Sequence, residues 1–375
     1  MIRQTAIDIV DVGFFGVVAL LLGVSLLTLF SVSHADLVSM TSIPLYIKQF
    51  IWILLGMAIF LLFASIDYHV IIRFAYPLYG ITILLLTMVL VTGRTISGAK
   101  RWIGIGFISF QPSEVAKITL LLVFAKYLAD AHDHAGRGLN LKTVIPPLGL
   151  LLLPMLLVLK QPDLGTGLAL SAIFFSMIFV LGFRSHFLIY FALLSLMFIP
   201  FIGQIFWNSL KGYQKERIQT FLNPMADPTG GGWHVIQSKI AIGSGGILGK
   251  GVGEGTQSQL KFLPESPTDF IFAVFSEEWG LVGIVVLLSL FAFLLWWGID
   301  VAYRAKDTLG ILMAVGIVGL LSYNLLVNVG MALGLLPVVG VPLPLLSYGG
   351  TATITHLGLL GILFSIKIRR FSLFY

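Results

Sequence analysis

His234-Val-Ile-Gln-Ser-Lys-Ile-Ala-Ile-Gly-Ser-Gly-Gly-Ile-Leu-Gly-Lys-Gly251 is followed by Gly255-Thr-Gln-Ser-Gln259 and Phe262-Leu-Pro-Glu-Ser-Pro-Thr-Asp269, and then by Phe270-Ile-Phe-Ala-Val-Phe-Ser-Glu-Glu-Trp-Gly-Leu281. A glycine-rich, basic, amphipathic segment thus runs into an apolar one long enough to cross a bilayer, and a carboxylate, Asp269, stands at the junction. An ionisable side chain at or below a membrane surface is expensive to keep there, which makes Asp269 a candidate functional residue. The simpler role is helix capping, because Thr268 and Asp269 both suit a helix N-terminus.

The rest of the composition agrees with a membrane setting. Of 375 residues 58% are hydrophobic and 11% charged, more apolar surface than a water-soluble core can use, so we expect an all-α polytopic integral membrane protein. The absence of cysteine excludes a disulfide framework, a thiol nucleophile and a zinc–thiolate site. Any metal would have to be held by Asp, Glu or His. The net charge of +6 is spread among loops, which speaks for anionic membrane lipids or an anionic substrate. No interleaving of basic and aromatic residues points to nucleic acid.

Apolar runs at 12–32, 46–66, 70–92, 112–130, 144–159, 163–183, 187–207, 269–297, 309–336 and 351–368 predict about ten spans, with one large loop, 208–268, between the seventh and eighth. The first run is too long for a signal-peptide core and lacks its cleavage pattern. Asp67-Tyr-His69 is a tight turn, so the runs beside it form an antiparallel hairpin. The stretch 93–112 is too polar and glycine-broken to span, yet amphipathic enough to lie in an interface. Its Arg94, Lys100 and Arg101 beside Trp102 read either as an anion site or as interfacial anchors.

Gln111-Pro-Ser-Glu114 opens the fourth span, and Lys117 follows three residues after Glu114, about 60° around the helix. This acid and base should face protein or water, either to act on something or to neutralise each other. Gln161-Pro-Asp163 opens the sixth span in the same manner, with Pro in the first turn and an acid that complements the dipole. Between the last two spans, 337–350 is apolar but proline-broken, and such backbone is tolerated at membrane depth only where protein or a cavity covers it.

Basic residues at the N-terminus, at Arg73, Arg137, Lys142, Arg184, Arg304 and Lys306, and at Lys367-Ile-Arg-Arg370 fall on one side, which the positive-inside rule makes cytoplasmic. An even number of spans puts both termini there. The 93–112 stretch, the Asp163 turn, the large loop with Asp269 and Ser347-Tyr-Gly-Gly350 then all face outward from the cytoplasmic (inner) membrane. Arg94, Lys100 and Arg101 sit there against the topological bias, as Lys239 and Lys250 do in the longer loop, and an anionic ligand such as a lipid pyrophosphate would suit them. Gly249-Lys250-Gly251 is no nucleotide loop: Ser244 stands where the first glycine belongs and Gly251 where Ser or Thr is needed. Glycine amides could still form a phosphate nest, or the loop could simply be flexible.

Across nearly its whole length the chain resembles the SEDS proteins, through His234 to Gly255, Gly255-Thr-Gln257, Phe262-Leu-Pro-Glu265, Thr268-Asp-Phe-Ile-Phe272, Glu277-Glu278, Gln111-Pro-Ser-Glu114 with Lys117, Gln161-Pro-Asp-Leu-Gly-Thr166 and Ser347-Tyr-Gly-Gly350. Ile242-Gly-Ser-Gly-Gly246 and the following Gly-Thr-Gln are similar to the elongation, rod-shape branch of that family rather than its division branch. The resemblance implies a single ten-helix domain over 1–375, a peptidoglycan glycosyltransferase that polymerises lipid II at the outer face of the membrane during cell elongation. It also implies a class B penicillin-binding protein as partner. Asp269 matches the family's essential aspartate, while Arg101, Glu114, Lys117, Asp163, Lys239 and Ser347 are carried as substrate-binding or supporting positions. One departure is Pro267, where the family commonly has His.

The chemistry requires a base for an acceptor hydroxyl and positive charge for a leaving pyrophosphate. Asp269 would supply the first; basic side chains or a divalent cation, Mg or Mn, the second. The sequence does not separate a base at Asp269 from a metal ligand there. A lipid II flippase and a non-catalytic scaffold for a penicillin-binding protein stand as alternatives.

Overall fold

The computed structural model describes residues 9–34, 43–96, 99–105, 108–135, 141–182, 215, 219–223, 225, 231–263 and 265–370. Its main helices are α1 (Ile9–His34), α2 (Leu45–Ser65), α3 (Tyr68–Arg73), α4 (Ala75–Thr92), α5 (Pro112–Ala135), α6 (Leu141–Lys160), α7 (Leu164–Leu181), α8 (Gly231–Ser244), α9 (Thr256–Gln259), α10 (Ile271–Tyr303), α11 (Thr308–Ala332) and α12 (Gly350–Arg369). Eight of the described helices are long and apolar enough to cross a membrane. The 24-residue α5, whose charged side chains such as Glu114 and Lys117 lower its hydropathy, is not among them but packs within the same bundle against α4, α7 and α11. The span expected at 187–207 lies outside the described residues.

Two kinds of helix surface make the bundle. Leu84 and Val91 of α4, Leu156 of α6, Phe175 and Phe179 of α7 and Val285 of α10 are exposed. In water each would forgo about 1.5–3 kcal/mol of burial, so a belt of them is a surface made for lipid. In contrast α12 is enclosed, with 83% of its apolar window buried. Along it α2 packs, Gln49 Nε2 donating to Thr353 Oγ1 at 3.0 Å, while Ser365 Oγ of α12 donates to the Ile66 carbonyl at 2.7 Å.

One expectation about the chain path is corrected. The third run does not span from 70: the Asp67 side chain accepts the His69 amide and caps the short α3, the backbone breaks at Phe74, and α4 starts at Ala75. The non-spanning stretch 93–112 folds as an antiparallel meander of β1 (Arg94–Ile96), β2 (Ala99–Ile105) and β3 (Ile108–Phe110). Its register pairs Ile96 with Ala99 and Ile105 with Ile108. Thr95, Ile96, Ile103, Ile105 and Ile108 favour extended backbone, and the sequence carries two glycines, Gly98 and Gly106, of the residue type that hairpin connections favour.

Chain direction and contacts gather the sheet, the Asp163 turn, the Asp269 turn and 337–349 at one end of the bundle. At the other end His69 links Asp67 (Nδ1 to Oδ1, 2.9 Å) to Asp307 (Nε2 to Oδ2, 2.7 Å), and Tyr68 donates to the same Asp307 carboxylate. There too Lys367 pairs with Asp11 and lies 5.4 Å from the Trp297 ring, which stacks on Phe14 at 4.0 Å.

Candidate active site

Asp269 lies in the turn that delivers the chain into α10. Its amide donates to the Glu265 carbonyl at 3.1 Å, and the helix begins at Ile271, two residues later than the apolar pattern suggests. The turn is held from two directions. Asn328 of α11 donates Nδ2 to the Asp269 carbonyl at 3.0 Å and to the Val341 carbonyl at 2.8 Å. From 337–349, Ser347 Oγ donates to the Thr268 carbonyl at 2.6 Å while accepting the Leu343 amide at 2.8 Å, and the Tyr348 amide reaches the Pro267 carbonyl at 2.8 Å. Burial pushes the Tyr348 hydroxyl above its usual range, so it stays a protonated phenol at neutral pH. A β-carbon on Gly340 would stand 3.5 Å from Asp269 Oδ2, so the same loop runs directly beside the half-buried carboxylate.

That loop also touches the second acidic turn. A β-carbon on Gly165 would meet the Val339 carbonyl oxygen at 2.7 Å, a backbone approach only glycine allows, and Tyr323 donates to the Gly165 carbonyl at 3.1 Å. Asp163 is buried and caps α7, accepting the Thr166 amide at 3.1 Å, the Thr166 hydroxyl at 2.9 Å and Gln111 Nε2 at 3.4 Å. Arg101 straps the sheet to this turn: it donates to the Pro162 carbonyl at 2.6 Å and the Gln161 carbonyl at 3.3 Å, with NH1 3.7 Å from Asp163 Oδ1. Charge-assisted bonds of this kind are about twice as strong as neutral ones, so much of the guanidinium's capacity goes to holding the turn.

On α5, Lys117 donates to Glu114 at 2.6 Å and both are buried. Across from them His356 Nε2 and Asn324 Nδ2 lie 3.0 Å apart, within electrostatic reach of Lys117. Ser113 Oγ, Glu114 Oε2 and Asn324 Oδ1 are buried with no hydrogen-bond partner among the described residues, the kind of polar atoms that ordered water or a ligand group satisfies.

The glycine-rich loop is neither a free nest nor a floppy connection. α10 breaks at Gly280 (φ 61°, ψ −162°), and the loop docks into the break. The Lys250 and Gly251 amides donate to the Glu277 and Glu278 carbonyls at 3.0 Å each, and Leu281 and Val282 donate back to Gly246 and Ile247 at 2.9 and 3.1 Å. Buried Glu277 ties the loop down, accepting Lys250 Nζ at 2.6 Å, Thr256 Oγ1 at 3.0 Å and the Gln257 amide at 3.2 Å. Beside it Glu278 accepts from Ser31 and from the Gly253 amide. Lys250 is therefore committed to Glu277.

Of the residues singled out from sequence, the structure joins Asp269 to Ser347 through the backbone of Thr268, joins Arg101 to Asp163, and connects the two groups through 337–349. Glu114 and Lys117 form a separate buried pair one turn beyond Gln111. Lys239 is exposed on α8, its stem lying across Gly334 at the end of α11. Sequence reading passed over Asn328, Tyr323 and Asn324, although polar side chains inside apolar spans were a usable signal. Among the described residues no three His, Asp or Glu side chains converge as a metal site would require. Among the described residues a divalent ion at Asp269 finds no further carboxylate or imidazole cluster, and substrate oxygens or water would suit its remaining positions, as they often do for Mg²⁺.

The family model described as Cell cycle protein, covering FtsW, RodA and SpoVE, matches residues 12–371. Peptidoglycan glycosyltransferase MrdB of Escherichia coli K12 is 45% identical over 321 residues, 85% of this chain and 84% of that protein. Peptidoglycan glycosyltransferase RodA of Treponema pallidum is 33% identical, with 87% of this chain and 90% of that protein covered. Among solved structures, a chain of a peptidoglycan synthase complex that coordinates polymerization and crosslinking superposes with a TM-score of 0.79 at 33% identity, covering 96% of this chain and 98% of that one. The rod shape determining protein RodA of Thermus thermophilus superposes with 0.68 at 30% identity and the same coverages.

Proposed function

The chain belongs to the FtsW, RodA and SpoVE family of cell cycle proteins and is a multi-pass peptidoglycan glycosyltransferase of the elongation type, and we propose that it polymerises lipid II with Asp269 as general base. The observation that carries the assignment is the carboxylate's setting: half-buried, at the end of the bundle where the acidic turns gather, on a backbone pinned by Asn328 and Ser347. In the proposed step the acceptor sugar's 4-hydroxyl oxygen forms a bond to the donor's anomeric carbon. The bond from that carbon to the pyrophosphate oxygen breaks, its electron pair leaves with the lipid pyrophosphate, and the hydroxyl proton passes to Asp269. One displacement turns an α linkage into β and needs no covalent sugar–enzyme intermediate.

The leaving group needs positive charge. Arg101 offers what its fork leaves over after holding the Asp163 turn, and the exposed Lys239 is a second cation. A divalent ion held by Asp269 and substrate oxygens would neutralise the same pyrophosphate when bound. We place the chain in the cytoplasmic membrane with both termini cytoplasmic, the site outward, and a class B penicillin-binding protein of the elongation type as partner. Its likeness to a chain of a complex that couples polymerization to crosslinking supports that pairing.

The test is Asp269→Asn in purified protein with lipid II. The variant should fold and bind lipid II and its partner but make glycan at a rate lowered by a factor of about 10²–10⁴, the loss expected of a general base. Glycan synthesis at an undiminished rate refutes the base. Lipid movement across vesicles lost while polymerisation stays intact would assign the flippase role instead, and rod shape restored by an inactive variant would assign the scaffold.

A further inference from the structure

Asn328 stands in the last two turns of α11 and is fully buried. Its Nδ2 donates to two carbonyl oxygens from separate segments, Asp269's own at 3.0 Å and Val341's at 2.8 Å. Two carbonyl acceptors leave no doubt which end of the amide faces them, since the amide oxygen cannot donate. The other amide atom, Oδ1, has no hydrogen-bond partner among the described residues, so the polar work of this side chain is done through Nδ2.

The two acceptors matter for different reasons. The Asp269 carbonyl belongs to the residue whose carboxylate is read as the base, so fixing it limits how that residue can rotate. The Val341 carbonyl lies next to Gly340, where a β-carbon would stand 3.5 Å from Asp269 Oδ2, and Val339 on the other side of Gly340 touches α7 at Gly165. A carboxamide NH₂ is the neutral group that offers two donors on one atom, and at Asn length it reaches both segments from α11 without placing a charge there. Leu would fill the space and bridge nothing; Asp would aim an anion at two carbonyl oxygens.

We propose that Asn328 is a positioning residue for the glycosyl transfer, setting the direction of the Asp269 carboxylate and coupling it to the loop that contacts the Asp163 helix. The inference rests on the reading of Asp269 as base. A displacement of the reacting groups by about 1 Å can cost a hundredfold in rate. The effect of Asn328 belongs in turnover, because the residue is fully buried and acts through the backbone carbonyls of Asp269 and Val341.

The experiment compares wild type, Asn328→Leu and Asn328→Ser as purified full-length protein polymerising lipid II, with folded yield measured alongside and Asp269→Asn as reference. The expected result is a kcat lowered about tenfold to a hundredfold with KM for lipid II within about threefold. Combining Asn328→Leu with Asp269→Asn should lower the residual rate no further, since residues that act through one another are not additive. Wild-type kcat in a folded variant, a rise in KM that accounts for the loss, or failure of both variants to yield folded protein would each overturn the inference, the last by making Asn328 part of the core alone. An Asp269→Asn enzyme that still polymerises at full rate would show that the base reading failed first. An inactive Asp269→Asn beside fully active Asn328 variants would remove the positioning role alone.

Discussion

Three alanine substitutions, one at the end of α8 and two in the glycine-rich loop that follows it, separate the forces that dock the loop into the broken helix. Gly243→Ala lies in α8, where a β-carbon meets nothing within 4 Å and φ is not left-handed; replacing glycine in a helix should be neutral or gain about 0.5–1 kcal/mol. Gly253→Ala also meets nothing, but its φ of +81° leaves a left-handed cost of about 1–2 kcal/mol. Gly249→Ala carries the same cost at φ +82° and in addition puts its β-carbon 2.1 Å from the Glu278 carbonyl oxygen, 2.5 Å from that carbonyl carbon and 2.7 Å from the Trp279 carbonyl carbon. All three are backbone atoms, so no rotamer relieves the clash. Overpacking of this kind costs about 1–3 kcal/mol, and separating loop from helix gives up backbone bonds of about 1 kcal/mol each. Left-handed cost plus overpacking comes to about 2–5 kcal/mol, and separation, which relieves the overpacking but gives up the four bonds of Lys250, Gly251, Leu281 and Val282, to about 5–6 kcal/mol. Hydrogen exchange in detergent reads it directly: the Lys250, Gly251, Leu281 and Val282 amides should lose protection in Gly249→Ala, change less in Gly253→Ala and hold in Gly243→Ala. Gly249→Ala with wild-type protection at those amides, or ranked with Gly253→Ala, would refute the docking argument.

Arg101→Ala should lower polymerisation more than it lowers protein abundance, and Arg101→Lys should not restore it, because one ammonium cannot reproduce a fork that serves both Gln161 and Pro162; wild-type kinetics in either variant returns Arg101 to an anchoring role. Reporter fusions after Tyr375 and within 231–263 should give opposite signals, and matching signals would sink the orientation. At the other end of the bundle, burial pushes the Asp67 carboxyl up, but the His69 amide and ring and the Arg369 guanidinium outweigh it and hold it below its ordinary value. A depressed carboxylate contributes stability that is complete above the unfolded pKa of about 3.9 and is lost as pH falls through the folded one. Asp67→Asn should therefore lower thermal stability at neutral pH and change it little at acid pH, where the wild type has already lost the contribution, so that the acid limb flattens; wild-type stability at neutral pH with an unaltered acid limb would contradict the assignment.

The membrane class, the spans and the acidic turns were legible because each rests on local chemistry: apolar run length, proline and acid at a helix start, a carboxylate at a loop–helix junction. Asp163 and Arg101 could be singled out separately, but their contact could not, since it needs a sheet that the 93–112 stretch announced only through β-branched residues and two glycines. The glycine-rich loop shows the limit most clearly. Its glycines invite a phosphate, whereas Gly245 and Gly249 are required because a β-carbon would strike α10 backbone. Nothing local to the loop reveals what lies against it. Asn328 escaped for the opposite reason: an amide in an apolar helix was visible, but its two acceptors come from segments distant in sequence.

The break at Gly280 also sets a height. Unbroken, α10's 33 residues would measure about 50 Å, well beyond the roughly 30 Å of a bilayer's hydrocarbon layer. The stretch 281–303 by itself measures about 34 Å, matches that thickness, and exposes Leu281, Val282, Val285 and Val286. The preceding stretch, 271–278, is buried by protein on every side. Asp269 then lies past the end of the lipid-matched stretch, on the far side of the break at Gly280. A substrate anchored by a long apolar tail could keep that tail in the membrane while its sugars rise to the carboxylate, so the enzyme would process a growing chain in water without lifting the anchor from the bilayer.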